Sequence, residues 1–178
     1  MKTVFIVILA LIVVGLAAGG LSVRKELLNE REAVDAAWSQ VDAALQHRAD
    51  LIPNAAEILK HLSKREAPVF QEIAKARNDL SNGKTPQEKL AANDRISTAL
   101  ARLLLLSESY PQLHLNRTFQ RVQDEIAGAE NRIAVERRKY NETLQHYNTS
   151  IQVFPNNIVA GVAGFRRNDA YFRTEPGG

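Results

Sequence analysis

Between Lys2 and Arg24 the chain runs through 21 consecutive residues without a charged side chain, TVFIVILALIVVGLAAGGLSV. At 1.5 Å per residue a helix of that length is about 30 Å long, the thickness of a bilayer's hydrocarbon core. Inside lipid every backbone N–H and C=O has to be satisfied within the segment, so a single span is helical. The rival reading is a cleaved secretory signal, because the basic start is short and Ala17 and Gly19 supply small residues near a potential cut. The apolar run outlasts the usual core of a signal and an amphipathic pattern follows at once, which makes residues 1–23 a retained single-pass transmembrane anchor.

Charge beside the span bears on its orientation. Lys2 and the amino terminus flank one end, while Arg24, Lys25 and Arg31 follow the other. Basic residues are held preferentially on the cytoplasmic side, which favours a cytoplasmic bulk domain. Over the whole chain 23 Lys and Arg stand against 20 Asp and Glu, for a net charge of +3. Such a balance does not gather a basic face, so no nucleic-acid partner is expected. The densest basic run, Arg137, Arg138 and Lys139, is flanked by Glu130, Glu136 and Glu142 and reads as a solvated helix face. The chain contains no Cys, which excludes disulfides and lipid attachment through a thiol.

Beyond the anchor, apolar residues recur at intervals of three and four. Val34, Trp38, Val41, Leu45 and Ile52 mark one seam, interrupted by Arg48. Phe119, Val122, Ile126, Ala129 and Ile133 mark another, continued by Tyr140, Leu144, Tyr147, Ile151 and Phe154. These patterns predict helices over residues 24–62 and 117–154, each approaching about 60 Å. Stripes of that length have to be covered, so the two rods belong to one bundle.

Two shorter helices are predicted between the rods. Gly83 supplies a stop, and Thr85, Pro86 and Glu88 then form N-cap, first helical position and capping box. Ser63 and Glu66 offer an earlier cap, with Pro68 in the first turn. At the far end Tyr110 precedes Pro111 and is steered away from helical torsions. The fold class is therefore all-α: an N-terminal transmembrane helix followed by an elongated antiparallel four-helix bundle over 24–154, with a tail over 155–178. A continuous dimeric coiled coil is the alternative, weakened by the Gly and Pro punctuation and by imperfect heptads.

Several stretches resemble a known family when taken in order: AWSQVDAALQHRADLIPN, ARNDL, LLLLSESYPQL, then QDEIAGAENRIAVERRKYNETLQHYNTSIQVFPNNIVA and a final GF. Together they resemble the LemA family of bacterial membrane proteins, across nearly the whole chain. The resemblance implies a single-pass protein of the bacterial inner membrane with an outward N-terminus and a cytoplasmic helical bundle. It implies no agreed enzymatic activity.

The residues themselves point the same way. His47, His61, His114 and His146 form no HExxH pattern and have no Cys partner. Glu57 with His61, and Glu142 with His146, are four apart, whereas a di-iron bundle uses Glu and His three apart with further inward carboxylates. GxxxxGK and GxSxG are both missing. No catalytic residue, metal or cofactor is therefore expected.

Structural or interaction candidates are the polar and aromatic residues that interrupt the seams. An antiparallel pairing with Leu27 near Ile151 places Arg48 opposite Glu130 and Trp38 opposite Tyr140. The expected result is a partly buried Arg48–Glu130 pair that fixes register without necessarily adding stability. Asn131, Arg132, Asn141, Asn148 and Asn156 read first as helix caps, side-chain hydrogen-bonding groups and solubilising residues, with a polar ladder or a partner-facing strip as the alternative. In HRADLIPN, Pro53 and Asn54 are expected to mark a kink or restart of the helix, with Asp50 capping the resumed segment. Pro155 should end the last rod, leaving a tail that either folds back or meets a partner or membrane through Phe165, Tyr171, Phe172, Arg166 and Arg167.

The functional expectation is a membrane-tethered scaffold or adaptor that binds a membrane or membrane-associated protein, with homo-oligomerisation open. The competing classes are an enzyme or accessory subunit in envelope metabolism and a self-assembling membrane-organising protein.

Overall fold

The computed structural model describes residues 2–60, 67–108, 110 and 116–172. Among the described residues five helices follow in order: α1 (Lys2–Lys60), α2 (Ala67–Asn82), α3 (Pro86–Glu108), α4 (Arg117–Ser150) and α5 (Asn156–Ala163). The fold is all-α, an apolar N-terminal helix with a packed helical bundle. The chain divides into two compact units, Met1–Ala37 with Lys139–Gly178, and Trp38–Arg138.

Within Trp38–Arg138 four helical stretches share one core. Val41, Leu45 and Ile52 of α1, Ile73 and Leu80 of α2, Ile96 and Leu100 of α3, and Phe119 and Val122 of α4 are all buried. Helical spacing turns each set to one side, and burying them supplies the main driving force for packing. Three ion pairs and one hydrogen bond show the directions. Glu72 with Arg102 and Asp79 with Arg95 make α2 and α3 antiparallel. Asp42 with Lys89, and Arg48 with Asn93, make α1 and α3 parallel, as an up-down-up-down order requires.

The α2–α3 turn follows the expected chemistry closely. Thr85 Oγ1 accepts from the Glu88 N–H at 3.2 Å, and Glu88 Oε2 accepts from the N–H groups of Lys84 and Thr85 at 2.8 and 3.3 Å. Those backbone donors hold the Glu88 carboxyl below its ordinary pKa. The reason for Gly83 is different from a left-handed cap. A Cβ there would stand 2.9 Å from Lys89 Cγ and 3.3 Å from both the Asp79 carbonyl oxygen and the Lys89 nitrogen. Close approach of the two helices therefore demands glycine.

In the other unit Leu27 and Val34 of α1 and Tyr140, Leu144 and Tyr147 of α4 are buried. Glu30 Oε1 accepts from Ser150 Oγ at 2.8 Å and lies 3.3 Å from His146 Nδ1. The large side chains from Val4 to Val14, and Leu21, are exposed, forming an apolar surface suited to lipid. This helix anchors the chain in a membrane.

Two sequence expectations need correction here. The helix does not restart at HRADLIPN: α1 continues through Pro53 and Asn54 to Lys60, with Pro53 exposed. Asp50 lies within a helix, where its carboxylate accepts from Arg77 Nη2 at 3.3 Å instead of capping orphan N–H groups. The last rod ends at Ser150, four residues early, and Phe154 is 76% exposed, outside the seam. Pro155 has no N–H to extend the ladder and disfavours helical torsions at Phe154, so the chain turns. The short helix α5 that follows was not foreseen. It closes on Gly164, whose φ of 77° is the left-handed conformation, while Phe165 N–H donates to the Ala160 carbonyl at 3.0 Å. Ser63, Glu66 and Pro111 lie outside the described residues.

Candidate functional site

Arg48 is the charged residue most deeply placed in the Trp38–Arg138 core, at 2% exposure. The α1 seam carries it inward between Leu45 and Ile52. Its Nη1 donates to Asn93 Oδ1 at 3.0 Å and to Ser97 Oγ at 2.8 Å, both on α3. Nη2 stands 3.6 Å from Glu130 Oε1 on α4. The Glu130 side chain is 61% exposed, so the pair is buried on the Arg48 side alone: a buried guanidinium held by neutral acceptors with a solvated carboxylate beside it. Burial pushes the Arg48 pKa down, and Glu130 opposes that shift while Arg137 adds to it. Asn93 and Ser97 were missed in the sequence, although Asn93 carries a usable signal. It precedes Ile96 and Leu100 by three and seven residues on an apolar helix face.

The second polar cluster belongs to the other unit and acts on the chain's own C-terminal segment. Asn141 Nδ2 donates to the Phe172 carbonyl at 2.8 Å, and its Oδ1 accepts from the Phe172 N–H at 2.9 Å. Two helical turns later Asn148 repeats the arrangement on Asn168, with distances of 2.6 and 2.9 Å. A primary amide offers one donor and one acceptor side by side, the pattern a neighbouring strand would offer. Tyr147 Oη donates to the Arg166 carbonyl at 3.1 Å, and the Tyr140 ring lies 4.7 Å from Phe172, centroid to centroid. Desolvation raises the pKa of both tyrosines, reinforced by Asp35 for Tyr140 and opposed by Arg31 for Tyr147. Both hydroxyls are therefore neutral donors near pH 7.

The other candidates are scattered. Asn131 and Arg132 are exposed on α4, apart from the pair formed by Asn141 and Asn148. Trp38 and Tyr110 are half-buried, and Pro155 is exposed. Arg48 and Glu130 belong to one unit and Tyr140 and Asn141 to the other. Among the described residues no group of three or more His, Asp or Glu is placed to hold a metal ion. The hydrogen bonds of Arg48, Asn141 and Asn148 bind and orient the protein's own chain.

A lipid-exposed apolar helix continuing into an all-α bundle, with its interior polar groups committed to packing, defines a single-pass membrane-anchored helical-bundle protein. Residues 37–177 match the family model, and the chain belongs to the LemA family. Magnetosome protein MamQ 2 and magnetosome protein MamQ 1 of Paramagnetospirillum magneticum are each 33% identical over 106 residues, covering 60% of this chain and 38% of theirs. Magnetosome protein MamQ of Magnetospirillum gryphiswaldense is 30% identical over 99 residues, 56% of this chain and 36% of its own. The chain thus matches well under half the length of these relatives.

Proposed function

We propose that the protein is a membrane-tethered scaffold or adaptor that holds a helical bundle close to a bilayer for another membrane-associated protein. The observation that carries this reading is that α1 runs without a break from the lipid-exposed segment into buried positions at Leu27 and Val34. A helix without a linker transmits position and orientation, which a flexible tether does not. Buried Arg48 and Asn148 direct the hydrogen bonds they make to the protein's own chain, which supports positioning over catalysis. The basic residues Arg24, Lys25 and Arg31 after the span favour the inner membrane with a cytoplasmic bulk.

In-membrane crosslinking tests the proposal directly. The chain has no Cys, so single cysteines at exposed α4 positions such as Arg121, Glu125 and Arg132 can each carry a photoreactive group. The expected result is one partner captured from neighbouring positions on one face. Absence of any specific adduct from every face would overturn the adaptor reading. Adducts joining two copies of this chain would favour self-assembly.

A further inference from the structure

The segment from Ile151 to Phe165, IQVFPNNIVAGVAGF, carries no charged side chain, yet much of it faces outward. Val153, Phe154, Ile158 and Val162 are 51, 76, 60 and 88% exposed. Ile158 and Val162 are four residues apart and share one side of α5, with Phe154 exposed in the turn before it, whereas Ala160 is buried. A water-facing helix would place polar residues there.

Position along α1 explains the pattern. The Ser150–Glu30 hydrogen bond fixes where α4 ends, six residues beyond Arg24, or about 9 Å along the helix. Tyr140 lies near Asp35, Tyr147 near Arg31 and Ser150 on Glu30, so α4 advances toward the membrane span as it nears Ser150. At the far end of the segment Gly164 and Phe165 line a cleft with Arg31 and Val34. Both ends of the segment are thereby held beside Glu30 to Val34 of α1, six to ten residues beyond Arg24, where the lipid-exposed stretch of α1 ends. Arg24 and Lys25 are exposed between that stretch and these anchor points, suited to anionic headgroups.

We propose that the turn at 151–155 and helix α5 form a second, interfacial membrane contact, with Phe154 and Ile158 entering the headgroup boundary of the bilayer that α1 crosses. Apolar side chains on a short helix beside basic residues bind this zone to a depth of about 5–10 Å. An aromatic at its tip matches the preference of rings for the interface. The occupant is lipid because both ends of the patch are tied to α1 within about 9–15 Å of its membrane-spanning stretch.

The test uses the full chain at one copy per nanodisc of phosphatidylcholine and phosphatidylglycerol. Nitroxides are placed through Phe154→Cys, Ile158→Cys and, as an aqueous reference, Gln145→Cys. Labels at 154 and 158 should collide several-fold more with oxygen and several-fold less with a water-soluble nickel chelate than the label at 145. Adding Ile158→Asp should move the label at 154 into water while the helical circular dichroism stays unchanged. Accessibilities at 154 and 158 equal to those at 145 would overturn the proposal. So would protection seen only in crowded proteoliposomes and lost in single-copy discs, which would assign the patch to a second copy.

Discussion

Arg48 Nη1 donates to Asn93 Oδ1 at 3.0 Å, a contact between side chains 45 residues apart that puts a guanidinium in the core of the bundle. The ionic partner, Glu130, lies at 3.6 Å with most of its side chain in water. The two acceptors therefore differ in what their loss costs.

Asn93→Ala should destabilise the protein by about 2–3 kcal/mol, because a buried charged donor loses its acceptor. Arg48 Nε already lacks a hydrogen-bond partner, so little spare capacity remains. Glu130→Gln should cost no more than about 1 kcal/mol, as a solvated partner does. Arg48→Met removes the charge along with its desolvation penalty and should cost less than Asn93→Ala. Urea unfolding of the detergent-solubilised chain ranks the three, and a Glu130 variant weaker than the Asn93 variant would refute this assignment.

Asn148 makes three side-chain hydrogen bonds to the C-terminal segment, two with the Asn168 backbone and one to Tyr171 Oη. Asn148→Ala should lower the local opening free energy of that segment by about 1–3 kcal/mol. Hydrogen exchange at the Asn168 amide reads this directly. Asn148→Asp keeps the acceptor for the Asn168 N–H and loses both donations, so it should protect that amide no better than partially.

Gly83→Ala should destabilise by about 1–3 kcal/mol through overpacking. Lys89 would have to move, and its ammonium is held by Asp42. Shortening the obstacle with Lys89→Ala should recover part of the loss on a double-mutant cycle, whereas additive losses would place the cause elsewhere.

Thr85→Ala should cost about 1 kcal/mol, the usual contribution of an N-cap hydroxyl. Glu88 adds a pH signature. Its folded pKa is depressed by the Lys84 and Thr85 N–H groups, so its stabilisation is complete above the ordinary carboxylate value and fades as pH falls through the folded one. The stability gap between the natural chain and Glu88→Gln should narrow as pH drops below about 4.3 and be constant near neutrality. A gap independent of pH would show that the carboxylate charge is not what caps the helix.

Much of this protein could be read before any coordinates. A 21-residue uncharged run requires a helix of bilayer length, and spacing of three and four assigns Val41, Leu45, Phe119 and Ile126 to buried faces. The capping box was equally legible, because all its partners lie within a few residues. Tertiary structure decided the rest. A proline in sequence signals a break, yet α1 continues through Pro53 because tertiary packing of a long helix outweighs one missing N–H, and the ring sits on an exposed face. Which acceptors hold Arg48 depended on α3 lying beside α1 in parallel. Asn141 and Asn148 found their partners 31 and 20 residues away, in a segment without periodicity. Local pattern fixes what a residue offers to its neighbours, but the identity of those neighbours is set by chain reversals whose geometry no local pattern encodes.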